Sequence, residues 1–412
     1  MKKHEIERGQ CEQDGAAKRN GYEVTIMTNE YPPNVYGGAG VHVEYLTKFL
    51  SELIRVEVRC FGEQRFEGGS LRVRGYLPWE VLKATGDPRL MKAISPFSVN
   101  LAMVADPLDS KVVHCHTWYT FMAGFMAKML YNVPLVTTIH SLEPLRPWKE
   151  NQLGRAYRLS SWMEEMGIRA SDRIIAVSNG MREDILRCYP VDAARVVVIY
   201  NGIDTVEYRR TPDDEALKEY GIQGRYILFV GRITQQKGIL HLVDAASFFP
   251  EGVKLVLCAS APDTEEDLRR LRDRISGKNN IIWIDQMVEK KKLIQLYSHA
   301  AVFACPSVYE PFGIINLEAM SCETPVVASA VGGIKEVVVD GETGLLVEPG
   351  NPVAIADAVK RVLGDEDLRG RLGRNGRRRV EAYFGWDVIA RKTKALYDEI
   401  LETPNPDPPS RP

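Results

Sequence analysis

None of the seven cysteines in this 412-residue chain forms a C-x-x-C pair, so neither a zinc knuckle nor a disulfide framework is indicated. Cys258 and Cys305 fall inside apolar runs that read as strands, and Cys115 lies between two histidines without a carboxylate nearby. Two histidines in such surroundings give no metal ligand set. No apolar run reaches the roughly 18 residues that span a bilayer. The first 20 residues, MKKHEIERGQCEQDGAAKRN, lack the apolar stretch of a signal peptide, which predicts a cytoplasmic protein without a membrane partner. Charge of one sign is missing too: 53 Lys and Arg against 55 Asp and Glu leave a formal −2. Nothing global draws the chain to nucleic acid, so any anion site must be local.

The chain does have length and alternation. At 412 residues it exceeds what one core normally supports, and at 45% hydrophobic and 26% charged it is an ordinary globular composition. A buried strand is expected at 24–28, then a loop, EYPPNVYGGAG. A helix follows, with Val41, Tyr45, Leu46, Phe49, Leu50 and Leu53 at helical spacing. Strand-like runs recur at 56–60, 112–114, 135–140, 173–177 and 196–200. The pattern restarts beyond Asn201 and Gly202, with strands at 226–230, 254–259, 281–284, 302–306, 325–328 and 344–347 and a helix at 241–249. Strand–helix alternation predicts an α/β chain of two doubly wound, Rossmann-like domains, 21–203 and 204–375, facing a central cleft. A final helix, 376–402, is free to cross back to the first domain. Residues 1–20 and 403–412, TPNPDPPSRP with its polar counterpart at the start, read as disordered.

Two segments of the second half carry chemistry. FVGRITQQKG follows a strand and leads into a helix, placing Arg232 and Lys237 five residues apart on one loop. An isolated R-x4-K is more often a pair of solvated cations. Its position after a buried strand and between glycines favours an anion grip, where backbone amides and positive charge converge. SVYEPFGIINLEAM sets Glu310 and Glu318 eight residues apart across a turn made by Pro311 and Gly313. Glu318 lies in an apolar run, Ile314 to Met320, and a buried carboxylate there needs a partner, for which a ribose diol is suited. The one D-x-D, Asp365-Glu366-Asp367, sits in a charged helical segment and reads as solvated surface.

With E-x7-E preceded by G-R-x4-K, the chain resembles the GT-B-fold retaining glycosyltransferases over about residues 22–400. NEYPPNVYGGAGVHVEYL, HCHTWYTFMAG, TTIHSLEP and AVSNGMREDI with VVVIYNGID extend the likeness into the first half. Together they are similar to glycogen synthases, and more narrowly to the actinobacterial type that also forms maltose 1-phosphate. The resemblance implies that Arg232 and Lys237 stabilise a diphosphate leaving group. It implies that Glu310 contacts the donor sugar, Glu318 the ribose, and Gly313, Ile314 and Ile315 donate backbone amides. Met287, in WIDQMVEK, would flank the base. Gly37 and Gly38 match the family's glycine loop, where small residues let backbone approach the ligand. His140 matches the cleft histidine, and His116 and Trp118 the acceptor side, whereas His114 reads as buried structure. One departure stands out: Val35 occupies the place of a lysine in classical glycogen synthases.

The activity so implied is glucosyl transfer with retention, from ADP-glucose to an α-1,4-glucan or to glucose 1-phosphate. The leaving phosphate helps to deprotonate the acceptor, and no metal or cofactor takes part. Other donors on the same fold, UDP-glucose or GDP-mannose, remain open from these residues, as do an epimerase and a non-catalytic sugar-binding module.

Overall fold

The two stretches of strand–helix alternation fold as two largely parallel sheets, because most of their strands are covered on both faces. The computed structural model of the protein describes residues 21–83, 88–260 and 262–403. The extension expected at 1–20 and the tail beyond Thr403 lie outside these residues.

The first sheet contains β1 (Tyr22–Thr28), β2 (Val56–Phe61), β3 (Arg65–Gly68), β4 (Leu71–Tyr76), β5 (Ser110–His116), β6 (Leu135–Ile139), β7 (Arg173–Ala176) and β8 (Val196–Val198). Their order is β3-β4-β2-β1-β5-β6-β7-β8. All neighbours run parallel except β3 and β4, which pair antiparallel at the edge. The second sheet contains β9 (Tyr226–Arg232), β10 (Lys254–Ser260), β11 (Ile281–Ile284), β12 (Val302–Cys305), β13 (Val326–Ser329) and β14 (Gly344–Val347). Its order, β11-β10-β9-β12-β13-β14, is 3-2-1-4-5-6 in its own numbering, the doubly wound arrangement. In each sheet the strand order reverses beside its first strand: between β1 and β5, and between β9 and β12.

The β3–β4 hairpin does not appear among the strands expected from sequence. All four residues of β3 are exposed, so it shows no buried face, and in β4 only Val73 and Gly75 are buried. The C-terminal segment also divides differently. The helix Glu366–Tyr383 runs straight across position 376 and ends before Phe384 and Gly385. A separate helix, Trp386–Glu402, packs on the first domain against the helix Gly38–Leu50. Trp386, 2% exposed, stacks on Tyr45, and Tyr397 Oη lies 2.7 Å from His114 Nδ1. Gly202 makes this return possible, since a Cβ there would sit 2.6 Å from the Trp386 ring. Asp365, first of the D-x-D, caps the helix Glu366–Tyr383 through the Leu368 amide at 2.9 Å. No described helix is long and apolar enough to cross a membrane.

Candidate active site

Both strand-order reversals open onto one cleft, which encloses a cavity of about 290 Å³ lined by loops from both domains. From the first domain come the loop after β1 with Gly37, Gly38 and Ala39, Trp118 after β5, and His140 after β6. From the second come Arg232 and Lys237 after β9, and Glu310 to Ile315 after β12. Two helices begin at this wall, Gly38–Leu50 and Ile314–Ser321, and neither has a side-chain cap. Their first amides lack intrahelical partners and carry the positive end of the helix dipole, so both favour an anion in the cavity. Gly313 starts the second of these helices at φ +91, where an added Cβ would approach Asn316 Nδ2 to 2.6 Å.

The loop after β1 is held by Glu30, whose Oε2 accepts from the amides of Tyr36 and Gly37 at 2.8 Å each. The Gly37 amide is therefore occupied, and the free amides begin at Gly38. Lys237 Nζ donates to Glu310 Oε2 at 2.6 Å, and Ser307 Oγ donates to the same oxygen at 3.2 Å. Burial alone would depress the Lys237 ammonium, but the Glu310 carboxylate raises it above its ordinary value. Arg232 pairs with Asp263, and its side chain stays 46% exposed at the cleft.

To the same cavity the first domain brings two more cations, Arg146 and Lys149. Arg146 pairs with Glu143, which is fully buried and also accepts from Ser160 Oγ at 2.9 Å. Arg146 Nε has no hydrogen-bond partner among the described residues. Lys149 is lowered to about 8, first by burial and then by the Arg146 charge. Behind them Glu164 Oε1 accepts from the Glu143 amide at 2.8 Å and from Tyr189 Oη at 2.6 Å.

Four histidines sit at the floor of the first-domain side. His116 Nδ1 lies 3.0 Å from His140 Nε2, and His42 Nδ1 lies 2.6 Å from Asn201 Oδ1. His114 is bonded to Tyr397 Oη and Thr138 Oγ1, both at 2.7 Å. Burial lowers all four, so they are neutral imidazoles near pH 7.

Residues 36–207 match the family Glycosyltransferase Family 4, and residues 213–379 match Glycosyl transferases group 1. The alpha-maltose-1-phosphate synthase of Mycolicibacterium smegmatis is 46% identical over 396 residues, covering 92% of this chain and 99% of the relative. That of Mycobacterium tuberculosis is 44% identical with the same coverage. The chain belongs to the GT-B glycosyltransferases. In fold it is similar to the sucrose-phosphate synthase of Thermosynechococcus elongatus, with a TM-score of 0.77, 24% identity and 92% and 99% of the two chains covered.

Of the residues singled out from the sequence, this glycosyltransferase gathers Gly37, Gly38, Trp118, His140, Arg232, Lys237, Glu310, Gly313, Ile314 and Ile315 around one cavity. Three lie elsewhere. His116 is wholly buried behind His140. Met287 is 70% exposed and is not part of the cavity wall. Glu318 is also outside that wall, and its partners are tyrosines: Tyr297 Oη donates to Oε2 at 2.9 Å, and Tyr208 bonds it as well. Both tyrosine hydroxyls answer the demand for a partner that burial places on Glu318. The sequence reading missed Glu30, Asp263, Arg146, Lys149 and His42. Arg146 and Lys149 lie two and five residues beyond TTIHSLEP, and their closeness to the cleft histidine was the one signal available. Folding also brings His42 and His140 together with His116, with one ring nitrogen from each within 4.8 Å of the others.

The Glu164 pocket yields a stability test. Burial, then the Glu143 charge, raises the Glu164 carboxyl well above the ordinary carboxylate range. A raised folded value means the native state holds a proton that the unfolded chain has released, so stability falls as pH rises through that window. Glu164→Gln keeps the acceptor oxygen for the Glu143 amide and Tyr189. It is expected to raise the melting temperature, and by more at about pH 9 than at about pH 5. An equal change at both pH values in thermal melts would count against it.

Proposed function

We propose that this glycosyltransferase moves glucose, with retention, from ADP-glucose to the 4-hydroxyl of glucose 1-phosphate, giving maltose 1-phosphate. The observation that carries the acceptor is the second pair of cations, Arg146 and Lys149, which lines the same cavity as Arg232 and Lys237. A nucleotide-sugar donor needs one phosphate grip. A phosphorylated acceptor needs another, and Arg146 and Lys149 supply the charge for it. The names of the mycobacterial relatives support the same acceptor. An α-1,4-glucan end is the second reading, favoured by the stacked rings of Trp118 and Tyr119, 3.9 Å apart in the cavity wall.

In this reading Arg232, Lys237 and the two uncapped helix ends offset charge on the departing diphosphate. Glu310, oriented by Lys237 and Ser307, meets the donor sugar. His140 lines its other side. The first-domain acids of the cavity are both engaged, Glu30 by loop amides and Glu164 by the Glu143 amide and Tyr189. Neither serves as a nucleophile on the face opposite the leaving group, which supports attack from the same face. The acceptor oxygen bonds to the anomeric carbon as the bond to the β-phosphate breaks, and the acceptor proton goes to the departing phosphate.

The test supplies ADP-glucose or UDP-glucose with either glucose 1-phosphate or glycogen and identifies the product. Maltose 1-phosphate from ADP-glucose is expected. The kcat/KM for glucose 1-phosphate is expected to fall above pH about 8, as Lys149 loses its charge. Lys149→Met should remove that limb and raise KM for glucose 1-phosphate while leaving KM for the donor unchanged. Elongation of glycogen alone, or equal loss for donor and acceptor, would overturn the reading.

A further inference from the structure

We propose that His42, His116 and His140 form a site for a transition-metal ion of the Zn2+ type at the floor of the transfer cleft, and that the bound ion blocks turnover. One ring nitrogen from each lies within 4.8 Å of the others. Tetrahedral zinc with bonds of 2.0–2.1 Å needs nitrogens about 3.3 Å apart. The His116 Nδ1 and His140 Nε2 atoms already stand 3.0 Å apart, where an ion replaces the proton between them, and the widest pair, within 4.8 Å, has about 1.5 Å to close by side-chain rotation.

The protonation pattern suits a metal. Asn201 Oδ1 can only accept, so the 2.6 Å contact places the proton on His42 Nδ1 and leaves the lone pair on Nε2. This is the outer support that metal-binding imidazoles use: a carbonyl on the far nitrogen fixes ring and tautomer. His116 bonds through Nδ1 alone, since its buried Nε2 has no hydrogen-bond partner among the described residues, so the ring is held by one contact only. His114, by contrast, has both nitrogens engaged by Tyr397 and Thr138 and belongs to the packing.

The donor set also selects the ion. Three imidazoles without a carboxylate favour Zn2+, Co2+, Ni2+ or Cu2+ over Mg2+ and Ca2+. Three protein ligands leave the fourth position open. Because His140 also lines the cavity, an ion there draws His140 away from the transferred sugar. This consequence for turnover rests on the reading of His140 given above. The binding itself does not.

The experiment titrates chelator-treated full-length protein with Co2+ and follows its visible absorption, in which four-coordinate cobalt gives intense bands. One Co2+ per chain, displaced by Zn2+ and insensitive to Mg2+, is expected. His42→Gln should abolish the bands. Asn201→Ala should weaken binding by about 10–100-fold while circular dichroism stays unchanged. His299→Gln, an exposed histidine outside the cluster, should bind as the parent does. Weak, six-coordinate spectra, or a stoichiometry unaltered in both His42→Gln and Asn201→Ala, would overturn the site. Zn2+ should then inhibit glucosyl transfer reversibly with EDTA, and transfer unaffected at saturating Zn2+ would overturn the block. Cobalt binding is read without any sugar, so a failure of the ADP-glucose assignment leaves that arm intact.

Discussion

Lys237→Ala is expected to lower kcat by about 10²–10³-fold, the usual loss when one preorganised contact to transition-state charge is removed. The reason is the position of Lys237 beside an uncapped helix end, in a wall otherwise built to receive an anion. The variant also leaves Glu310, 6% exposed, without its cation. Breaking such a pair costs on the order of 3 kcal/mol, so stability should fall as well. The two effects separate in a double variant. Lys237→Ala with Glu310→Gln removes the stranded charge and should recover the melting temperature while remaining inactive. Recovery of turnover together with stability would mean that Lys237 serves the fold alone.

Arg146→Ala should show the opposite balance, with a large stability loss and a defect confined to the acceptor. Glu143 has no exposure, and Arg146 is its cation. Stranding that charge costs about 3–5 kcal/mol, a large share of a typical domain's stability. Arg146→Lys keeps charge near Glu143 but loses the planar fork and the unpartnered Nε. Its KM for glucose 1-phosphate should rise by about 10–100-fold, the value of a charge-assisted hydrogen bond, with kcat and donor KM near those of the parent. Denaturant melts and initial-rate kinetics read the two effects separately. A donor KM that rises with the acceptor KM would move Arg146 to the donor phosphates.

Much of the fold was open to a reader of the sequence. The strands of the second sheet are short apolar runs such as YILFV in β9, because parallel strands covered on both faces must be apolar on both. The hairpin of β3 and β4 escaped for the converse reason, since an exposed edge strand has no apolar face to display. The loops FVGRITQQKG and SVYEPFGIINLEAM were legible through their strand–turn–helix punctuation. His42 was not. Between Val41 and Val43 it interrupts no pattern, and its meaning arises only where helix, β5 and β6 meet.

The sequence by itself determined two doubly wound domains, the transferase family, and the loops that carry Arg232, Lys237 and Glu310. Those follow from local rules: hydrophobic period, turn residues and motif spacing act over a few residues. The tertiary structure decided which groups are partners. Lys237 meets Glu310 across 73 positions, Arg232 meets Asp263 across 31, and Tyr297 takes the carboxylate of Glu318 across 21. Partnership depends on where strand ends converge, and a buried charge reveals only that it needs a partner, never which one.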